Sequence, residues 1–230
     1  MFCGTSATFG EMNIDQFISA DVPVLASEDT GNRALEMMGE TGFSELPVVH
    51  EDGYVALVQE DEVLDWNTPE QPLSASSLLN YKPAIPASSH PFEAMKIMHQ
   101  MNLGVLPVID HELKYVGSAT THSLLKYMTE HSGINNPGGI IVLEILPRNY
   151  TLYEIARICE NEDVIIMNLQ VYTNEQGKLE VTLKLNRSSL DAVVSSFERH
   201  NYHVKEVYGD ESKKDDMMEE YKLLMNYLNM

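Results

Sequence analysis

The feature of this sequence that most limits its fold is a segment that occurs twice, sixty residues apart. Residues 23–66 align with residues 83–126 without a gap. The strongest match is between Leu46-Pro47-Val48-Val49 and Leu106-Pro107-Val108-Ile109. The other matched pairs are Pro23 with Pro83, Ala34 with Ala94, Met38 with Met98 and Leu64 with Leu124. An offset that stays constant over this length predicts two copies of one structural unit.

Each copy predicts the element order β-α-β-β-α. In the first copy, Thr30 precedes an apolar stripe at helical spacing and is the predicted N-cap of a helix. Two short apolar strands follow, and the turn signal Glu51-Asp52-Gly53 joins them. A second helix closes the unit. One such unit is too small to bury its own sheet, so we expect the two units to pack against each other.

The helix, the Leu-Pro-Val-Val strand, the turn, the next strand and the T-x-x-x-L-L start of the closing helix together resemble the CBS repeat. CBS repeats occur in pairs as a Bateman module. The resemblance covers about residues 18–131, with repeats at about 18–66 and 81–131. It implies clefts between the repeats that bind adenosine compounds, namely AMP, ADP, ATP or S-adenosylmethionine.

CBS repeats typically contact their ligand through the motif G-h-h-[ST]-x-x-D, which lies at the start of the last helix. A hydroxyl and free N–H groups at a helix start suit a phosphate, and a carboxylate can accept hydrogen bonds from both ribose hydroxyls. The second repeat reads from Gly117 to Ser123, so Thr120 fits the motif and Ser123 replaces the Asp. In the first repeat, the gap-free alignment puts Glu60 at the Thr position and Val63 at the Asp position.

The sequence therefore predicts a single ligand site, on the side of the second repeat. The residues expected to form it are Ile85, Pro86, Pro107, Thr120, His122 and Ser123. Lys126 lies on the same predicted helix face as His122, at i+4, and adds a second basic group. The alternative for Thr120 is that it only caps the helix, and the alternative for His122 is an exposed side chain without a ligand.

The distribution of charge excludes two classes of partner. The formal net charge is −20, and residues 1–66 contain 14 acidic residues and one arginine. Nucleic acids and anionic membrane surfaces both require a basic surface, and the sequence has none. No apolar run is long enough to span a membrane. The second repeat is nearly neutral, since residues 67–132 contain 5 acidic residues and 4 lysines.

A second pattern begins after the Gly- and Pro-rich segment 133–139. Its element order is β-α-β-β-α-β, the ferredoxin-like plan. Thr151 and Glu154 predict a capping box, and Ser188 is the predicted cap of the second helix. The predicted apolar face of the first helix is Leu152, Ile155, Ala156 and Cys159. The predicted apolar face of the second strand is Ile165, Met167, Leu169 and Val171.

This order, following a CBS pair, resembles an ACT domain, and the whole arrangement resembles bacterial CBS–ACT proteins of the acetoin-utilisation-like type. ACT domains bind amino acids or similar ligands at dimer interfaces, beside a Pro-Gly turn before the first helix. Here residues 147–152 occupy that turn, and Thr151 replaces the glycine that permits close approach of a ligand. Arg148 and Asn149 are either ligand contacts or ordinary loop residues.

The expected fold class is α/β (α+β), with tandem CBS repeats followed by a ferredoxin-like, ACT-like domain. The expected boundaries are a disordered leader at 1–11, the CBS pair at 12–132, a linker at 133–139, the ACT-like domain at 140–208 and a C-terminal helix at 209–230. Cys3 and Cys159 are expected to be free thiols in a reducing cytoplasm. The histidines at 90, 99, 111, 122 and 131 have no metal-ligand spacing.

No catalytic motif occurs, so we expect a regulatory protein without enzymatic activity, metal or cofactor. Two functions remain open. The first is a homodimeric sensor of an adenosine nucleotide or S-adenosylmethionine, which reports to a protein partner. The second is a degenerate scaffold that forms a dimer and binds a partner protein without a nucleotide.

Overall fold

The computed structural model describes residues 12–209, so the predicted leader and residues 210–230 of the predicted C-terminal helix lie outside the described residues. The chain divides into two compact units, residues 1–127 and residues 128–230. In the first unit, the second copy of the repeat has the predicted elements, and the first copy has them except its opening strand, which is reduced to a single parallel bridge between Leu25 and Val48. Their bounds are β1 (Ile18–Ser19), α1 (Gly31–Thr41), β2 (Glu45–His50), β3 (Gly53–Gln59), α2 (Glu60–Leu64), β4 (Ile85–Pro86), α3 (Pro91–Met101), β5 (Val105–Ile109), β6 (Tyr115–Thr120) and α4 (Thr121–His131).

The first half of each repeat follows the sixty-residue offset. Helices α1 and α3 start and end sixty residues apart. The Thr30 hydroxyl caps α1 by accepting from the N–H of Arg33 at 3.2 Å, as predicted. At the equivalent position, the His90 ring nitrogen accepts from the N–H of Phe92 at 3.1 Å. The sequence match therefore corresponds to repeated local structure up to the first strand of each hairpin.

The second half of each repeat follows an offset of 61, so the gap-free alignment is wrong beyond the hairpin turn. Leu46 pairs with Val58, whereas Leu106 pairs with Ala119. The turn in the second repeat contains one more residue. The shift changes the equivalence at the closing helix, where Leu124 is 4% exposed and Leu64 is 62% exposed. The true counterpart of Leu124 is Val63, which is fully buried.

The two repeats exchange strands and core residues. Strand β1 lies at the start of the first repeat but pairs with β6 of the second, in a sheet of order β1-β6-β5-β4. Conversely, the carbonyl of Tyr81, at the start of the second repeat, accepts from the N–H of Leu57 in the first at 2.8 Å. The buried side chain of Val105 packs in the core of the first repeat, and that of Leu57 packs in the core of the second. Each repeat therefore depends on the other for burial of its apolar surface, as the sequence predicted.

The second unit has the ferredoxin-like β-α-β-β-α-β order, which confirms the predicted fold class. Its four-stranded antiparallel sheet has the strand order β10-β7-β9-β8. Two helices pack on one face of this sheet. The bounds are β7 (Ile140–Ile145), α5 (Leu152–Asn161), β8 (Ile166–Thr173), β9 (Leu179–Leu185), α6 (Asp191–Arg199) and β10 (His203–Tyr208).

The core of the second unit differs from the predicted apolar faces in two places. On α5 the buried residues are Ile155, Ile158 and Cys159, while Leu152 is 51% exposed. On β8 an irregularity between Ile166 and Asn168 shifts the alternation of faces. Ile166 and Leu169 therefore pack against the core, and Ile165 and Met167 are exposed.

The capping hydrogen bonds predicted for the two helices of this unit do not form. Thr151 lies at the N-cap of α5, but its side chain makes no capping hydrogen bond. Glu154 does not reach back to complete a capping box, because its carboxylate accepts from the Tyr202 hydroxyl at 3.0 Å. The residue before α6 is Leu190 rather than Ser188, again without a side-chain cap. Within residues 12–209, no helix combines the length and apolar character needed to cross a bilayer.

Candidate functional site

The start of helix α4 is built from two hydroxyls that bond to each other's backbone. The Thr120 hydroxyl accepts from the N–H of Ser123, and the Ser123 hydroxyl accepts from the N–H of Thr120, each at 3.0 Å. The Ser123 hydroxyl also donates to the carbonyl of Thr120 at 3.0 Å. Thr120 is 4% exposed and Ser123 is half-buried. This reciprocal cap fixes both side chains, and it leaves the proton of the Thr120 hydroxyl as a donor.

The N–H groups of the first helical turn lie beside this cap. The N–H of Thr121 donates to the carbonyl of Gly104 at 3.0 Å, and that of Ser123 is used in the cap. First-turn N–H groups have no acceptor within the helix, so the N–H of His122 is left to bond with solvent or a ligand. The positive end of the helix dipole lies at the same place. His122 and Lys126 are both exposed on α4.

The structure does not bring all the predicted residues together. Pro107 is buried and lies opposite Ser118 in the β5–β6 pair. Ile85 and Pro86 pair with Val108 and Ile109, on the side of β5 away from β6. Val108 is three residues from the partner of Thr120, Val105, which is about 10 Å along a strand. Ile85 and Pro86 therefore do not lie next to Thr120, and a ligand that contacts all three must extend along the sheet.

Strand β1 is the neighbour of this helix start that the sequence prediction missed. Ile18 and Ser19 pair with Ala119 and Ser118, immediately before Thr120. Gly117 has a φ of 153°, and a Cβ added there would collide with the Cγ2 of Ile18. The glycine is therefore needed for the close approach of β1. Gly117 is the sequence signal for this contact with β1, although the sequence prediction assigns it only to a ligand motif.

The corrected offset changes the equivalent position in the first repeat. The residues matching Thr120 and Ser123 are Gln59 and Glu62, not Glu60 and Val63. A carboxylate, exposed Glu62, thus stands at the position of the motif Asp. Gln59 makes no side-chain cap at the start of α2. The first repeat therefore has the carboxylate without the hydroxyl, and the second repeat has the hydroxyl without the carboxylate.

Glu45 is a buried carboxylate between the repeats that the sequence analysis did not single out. It is 8% exposed, and its Oε1 accepts from the N–H of Gly104 in the second repeat at 3.4 Å. Burial raises the pKa of Glu45, and hydrogen bonds from the N–H groups of Gly104 and Val105 partly offset this. Burial, together with the negative charges of Glu45 and Glu62, raises the pKa of Tyr81. The cleft side of the first repeat is therefore unfavourable to an anion.

The second unit contains a polar cavity of about 470 Å³ at the end of its sheet. Its walls include the predicted ligand-contact loop of an ACT domain, with Asn149 and Thr151, and the turn before β10. Buried Tyr202 donates to Glu154 within this cavity, and its pKa is raised to about 12, first by burial and then by Glu154. Arg148 is exposed and is not part of the cavity wall.

Within residues 12–209, no group of three or more His, Cys, Asp or Glu side chains is placed to hold a metal ion. Tyr54 and Tyr115 also lie between the repeats. The Tyr54 hydroxyl donates to the carbonyl of Pro83 at 2.8 Å, and burial raises its pKa. The Tyr115 hydroxyl bonds with that of Ser118 at 2.8 Å. These partners assign both tyrosines to structural hydrogen bonds.

Comparison with solved structures finds CBS proteins. A CBS domain pair/ACT domain protein from Thermotoga maritima is 20% identical, with a TM-score of 0.45, over 52% of this chain and 98% of its own. CBSX2 of Arabidopsis thaliana in complex with AMP is 18% identical, with a TM-score of 0.46, over 51% and 96%. The CBS domain of a bacterial CNNM/CorC family Mg²⁺ transporter in complex with ATP is 16% identical, with a TM-score of 0.43, over 52% and 88%.

The family assignment rests on the sequence and on the repeat structure. The family model for the CBS domain matches residues 14–67 and, again, residues 75–130. These two matches coincide with the two β-α-β-β-α units and contain both Leu-Pro-Val strands. Residues 14–130 of this chain are therefore a CBS-domain pair, and a ferredoxin-like domain follows it.

Proposed function

We propose that the chain is a non-enzymatic regulatory protein that binds an adenosine compound at the start of α4 and passes the signal to a protein partner. The candidate ligands are AMP, ADP, ATP and S-adenosylmethionine. The observation that supports this site is the helix start itself, where the cap holds the Thr120 side chain in place and does not use its hydroxyl proton or the N–H of His122. Both groups donate hydrogen bonds, as a phosphate requires.

The difference in charge between the repeats supports the same choice. The first repeat has acidic residues at the first three positions of α2, which repel a phosphate. Helix α4 has no acidic residue in its first turn and has exposed His122 and Lys126. A phosphate-bearing ligand should therefore bind on the second repeat, and the missing ribose carboxylate at Ser123 should weaken its hold on the sugar.

Ligand-dependent stabilisation tests the proposal. The melting temperature is measured with AMP, ADP, ATP, S-adenosylmethionine and a panel of amino acids. A ligand that binds only the folded state stabilises it by about 2.7 kcal/mol at a hundredfold excess over its dissociation constant. An adenosine compound that raises the melting temperature supports the proposal. A shift with an amino acid alone would place the site in the ferredoxin-like domain and contradict it.

Two equivalent substitutions locate the site. Thr120→Glu puts a negative charge at the start of α4 and should abolish the shift. Gln59→Glu, sixty-one residues earlier, introduces the same charge at the equivalent position of the first repeat and should leave the shift unchanged. Equal loss in both variants, or none in Thr120→Glu, would mean that the ligand binds elsewhere.

The second candidate function is a scaffold that dimerises and binds a partner without a nucleotide. Two observations favour it. The cap uses the Ser123 hydroxyl both as donor and as acceptor, so this hydroxyl is already engaged within the protein. In addition, two leucines at equivalent positions of the repeats are exposed. Leu64 on α2 and Leu125 on α4 are 62% and 61% exposed. Sedimentation of the wild type, Leu64→Asp and Leu125→Asp should then show a dimer that both substitutions disrupt. A dimer combined with no shift across the ligand panel would favour the scaffold.

A further inference from the structure

The second unit has an apolar groove beside helix α5, of about 500 Å³, which we call the α5 groove. Its apolar walls come from one face of α5 and from the residues that lead into β8. Ile165 is 61% exposed at its edge, and Cys159 is buried at its base. The residues that line it are Ala156, Cys159, Glu160, Asp163, Val164, Ile165 and Ile166. A monomeric domain gains stability when such a surface is covered.

The α5 groove opens at the end of the sheet where the described chain stops. Tyr208, at the end of β10, pairs with Ile140 at the start of β7. Ile140 pairs with Lys184, and Lys184 pairs with Asn168 near the start of β8. These four residues form one row across the sheet. Gly209 therefore lies three strand spacings from the start of β8, or about 14 Å.

The chain beyond Gly209 is long enough to reach the groove. Residues 210–216 are polar, with the sequence Asp-Glu-Ser-Lys-Lys-Asp-Asp. Seven extended residues span up to about 24 Å, which exceeds the distance across the row. The apolar residues that follow are spaced as on one helix face, at Met217, Tyr221, Leu224, Met225 and Leu228.

On the opposite face of the sheet, the half that holds Glu144 and Glu180 is charged. There, the Lys178 ammonium lies 2.6 Å from Glu144, and that of Lys205 lies 2.7 Å from Glu180. The Asn174 amide donates to Glu180 at 3.1 Å. An apolar helix face placed on these ion pairs would remove the charged groups from water and offer them no new hydrogen-bond partners. This half of the opposite face is therefore a poor site for an apolar segment, whereas the α5 groove exposes the apolar side chain of Ile165.

We propose that residues 217–230 bind as an amphipathic helix in the α5 groove of the same chain. The apolar row from Met217 to Leu228 packs against Val164, Ile165 and the exposed side of α5. Covering the groove buries the edge of Ile165 and closes access to Cys159. Because the segment arises from β10 at the far edge of the sheet, its binding joins the two outer strands of the domain.

Hydrogen exchange of the full-length chain, followed by mass spectrometry, tests this inference. In the wild type, amides in 217–230 should exchange at least about tenfold more slowly than in an unstructured chain. Ile165→Asp should remove this protection. Ile165 suits this use because its N–H and carbonyl are held by Asn186, at 2.8 and 3.1 Å, whatever its side chain.

Tyr172→Asp is the matched control. Tyr172 is 59% exposed on the edge strand β8, which begins directly after Ile165, but it lies outside the groove. It should leave the protection of 217–230 unchanged. Leu224→Asp in the segment should raise exchange at 164–166 as well as in 217–230. Unprotected amides in the wild type, or protection that survives Ile165→Asp, would overturn the proposal. So would protection that depends on protein concentration, because a second copy would then supply the segment.

Discussion

Glu45 at the start of β2 and Gly104 before β5 join the two CBS repeats through a buried carboxylate and a backbone N–H, 3.4 Å apart. A Cβ added at Gly104 would lie 3.1 Å from the Oε2 of Glu45, a tight contact that would require the carboxylate to shift. The contact thus links a charged residue with a glycine, at positions fifty-nine residues apart in sequence. Its energetics depend on pH, since the net effect of burial is to raise the pKa of Glu45.

A raised pKa in the folded state means that the ionised carboxylate opposes folding. Below the ordinary pKa, Glu45 is protonated in both states and the folded state has its full stability. That stability is lost as the pH rises through the raised pKa of the folded state. At pH 7 the Glu45→Gln variant should therefore be more stable than the wild type and unfold at a higher denaturant concentration. Its free energy of unfolding should be higher by about 1.4 kcal/mol for each unit by which the pKa of Glu45 differs between the folded and unfolded states. At pH 3.5 the two should coincide. Glu40→Gln, at an exposed position, is the control, and a pH-independent gain would contradict the assignment.

Two glycines of the CBS pair should respond to alanine in opposite directions. Gly117→Ala should destabilise the chain by at least about 1–3 kcal/mol, because the new methyl group collides with Ile18 and the φ is unsuitable for alanine. Gly39 lies inside α1 with open space around it, so Gly39→Ala should stabilise by about 0.5–1 kcal/mol. Urea unfolding measures both. Equal effects would mean that β1 does not pack on Gly117.

The corrected repeat offset predicts a large difference between two leucines that the gap-free alignment equates. Leu124→Ala should destabilise the chain by about 2–5 kcal/mol because the side chain is buried. Leu64→Ala should change stability by less than about 0.5 kcal/mol, since Leu64 is exposed. Thermal or chemical unfolding distinguishes the two. Similar losses of stability in the two variants would contradict the offset of 61 and favour the gap-free alignment.

The cap of α4 has a structural value apart from any ligand. Ser123→Ala removes the acceptor for the N–H of Thr120 and the donor to its carbonyl. The expected loss is about 0.5–2 kcal/mol. Thr30→Ala removes the analogous cap of α1 and gives a reference value in the same unit. A Ser123→Ala variant as stable as the wild type would show that the hydroxyl is not used in the cap.

Cys159 should be an unreactive thiol. Burial raises its pKa to about 11 from an ordinary value of 9.0, so its thiolate fraction near pH 8 is about a hundredfold lower than that of a free thiol. In a Cys3→Ser background, reaction with a thiol reagent should be slower than for glutathione by at least this factor. Denaturant should restore normal reactivity. A fast reaction in the native chain would contradict the buried environment.

The repeat and its pairing could be predicted from sequence because both copies preserve the helix and the Leu-Pro-Val strand. The change of offset could not, since one extra residue in a polar turn leaves the flanking apolar pattern almost intact. As a result, Glu62 was overlooked at the motif position and Val63 was placed there instead. Strand β1 was missed because two residues, Ile18 and Ser19, are too short for a periodic signal.

The ferredoxin-like order could be predicted because the apolar residues keep a regular period, as in β9, where Val181, Leu183 and Leu185 are buried at every second position. The irregularity in β8 could not, because it depends on pairing with β9 and leaves no mark in composition. The caps of α5 and α6 failed for a similar reason. Glu154 bonds to Tyr202, which is 48 residues away, and such a tertiary contact outweighs a local capping pattern.

The crossing of β1 and of the segment before β4 between the repeats has a consequence for any attempt to separate them. A fragment with one repeat would retain the segment that bonds to its missing neighbour and lack the segment that bonds to its own sheet. Two such fragments could satisfy each other only by exchanging these segments, as in a domain-swapped pair. The CBS module is therefore indivisible in topology although it is duplicated in sequence.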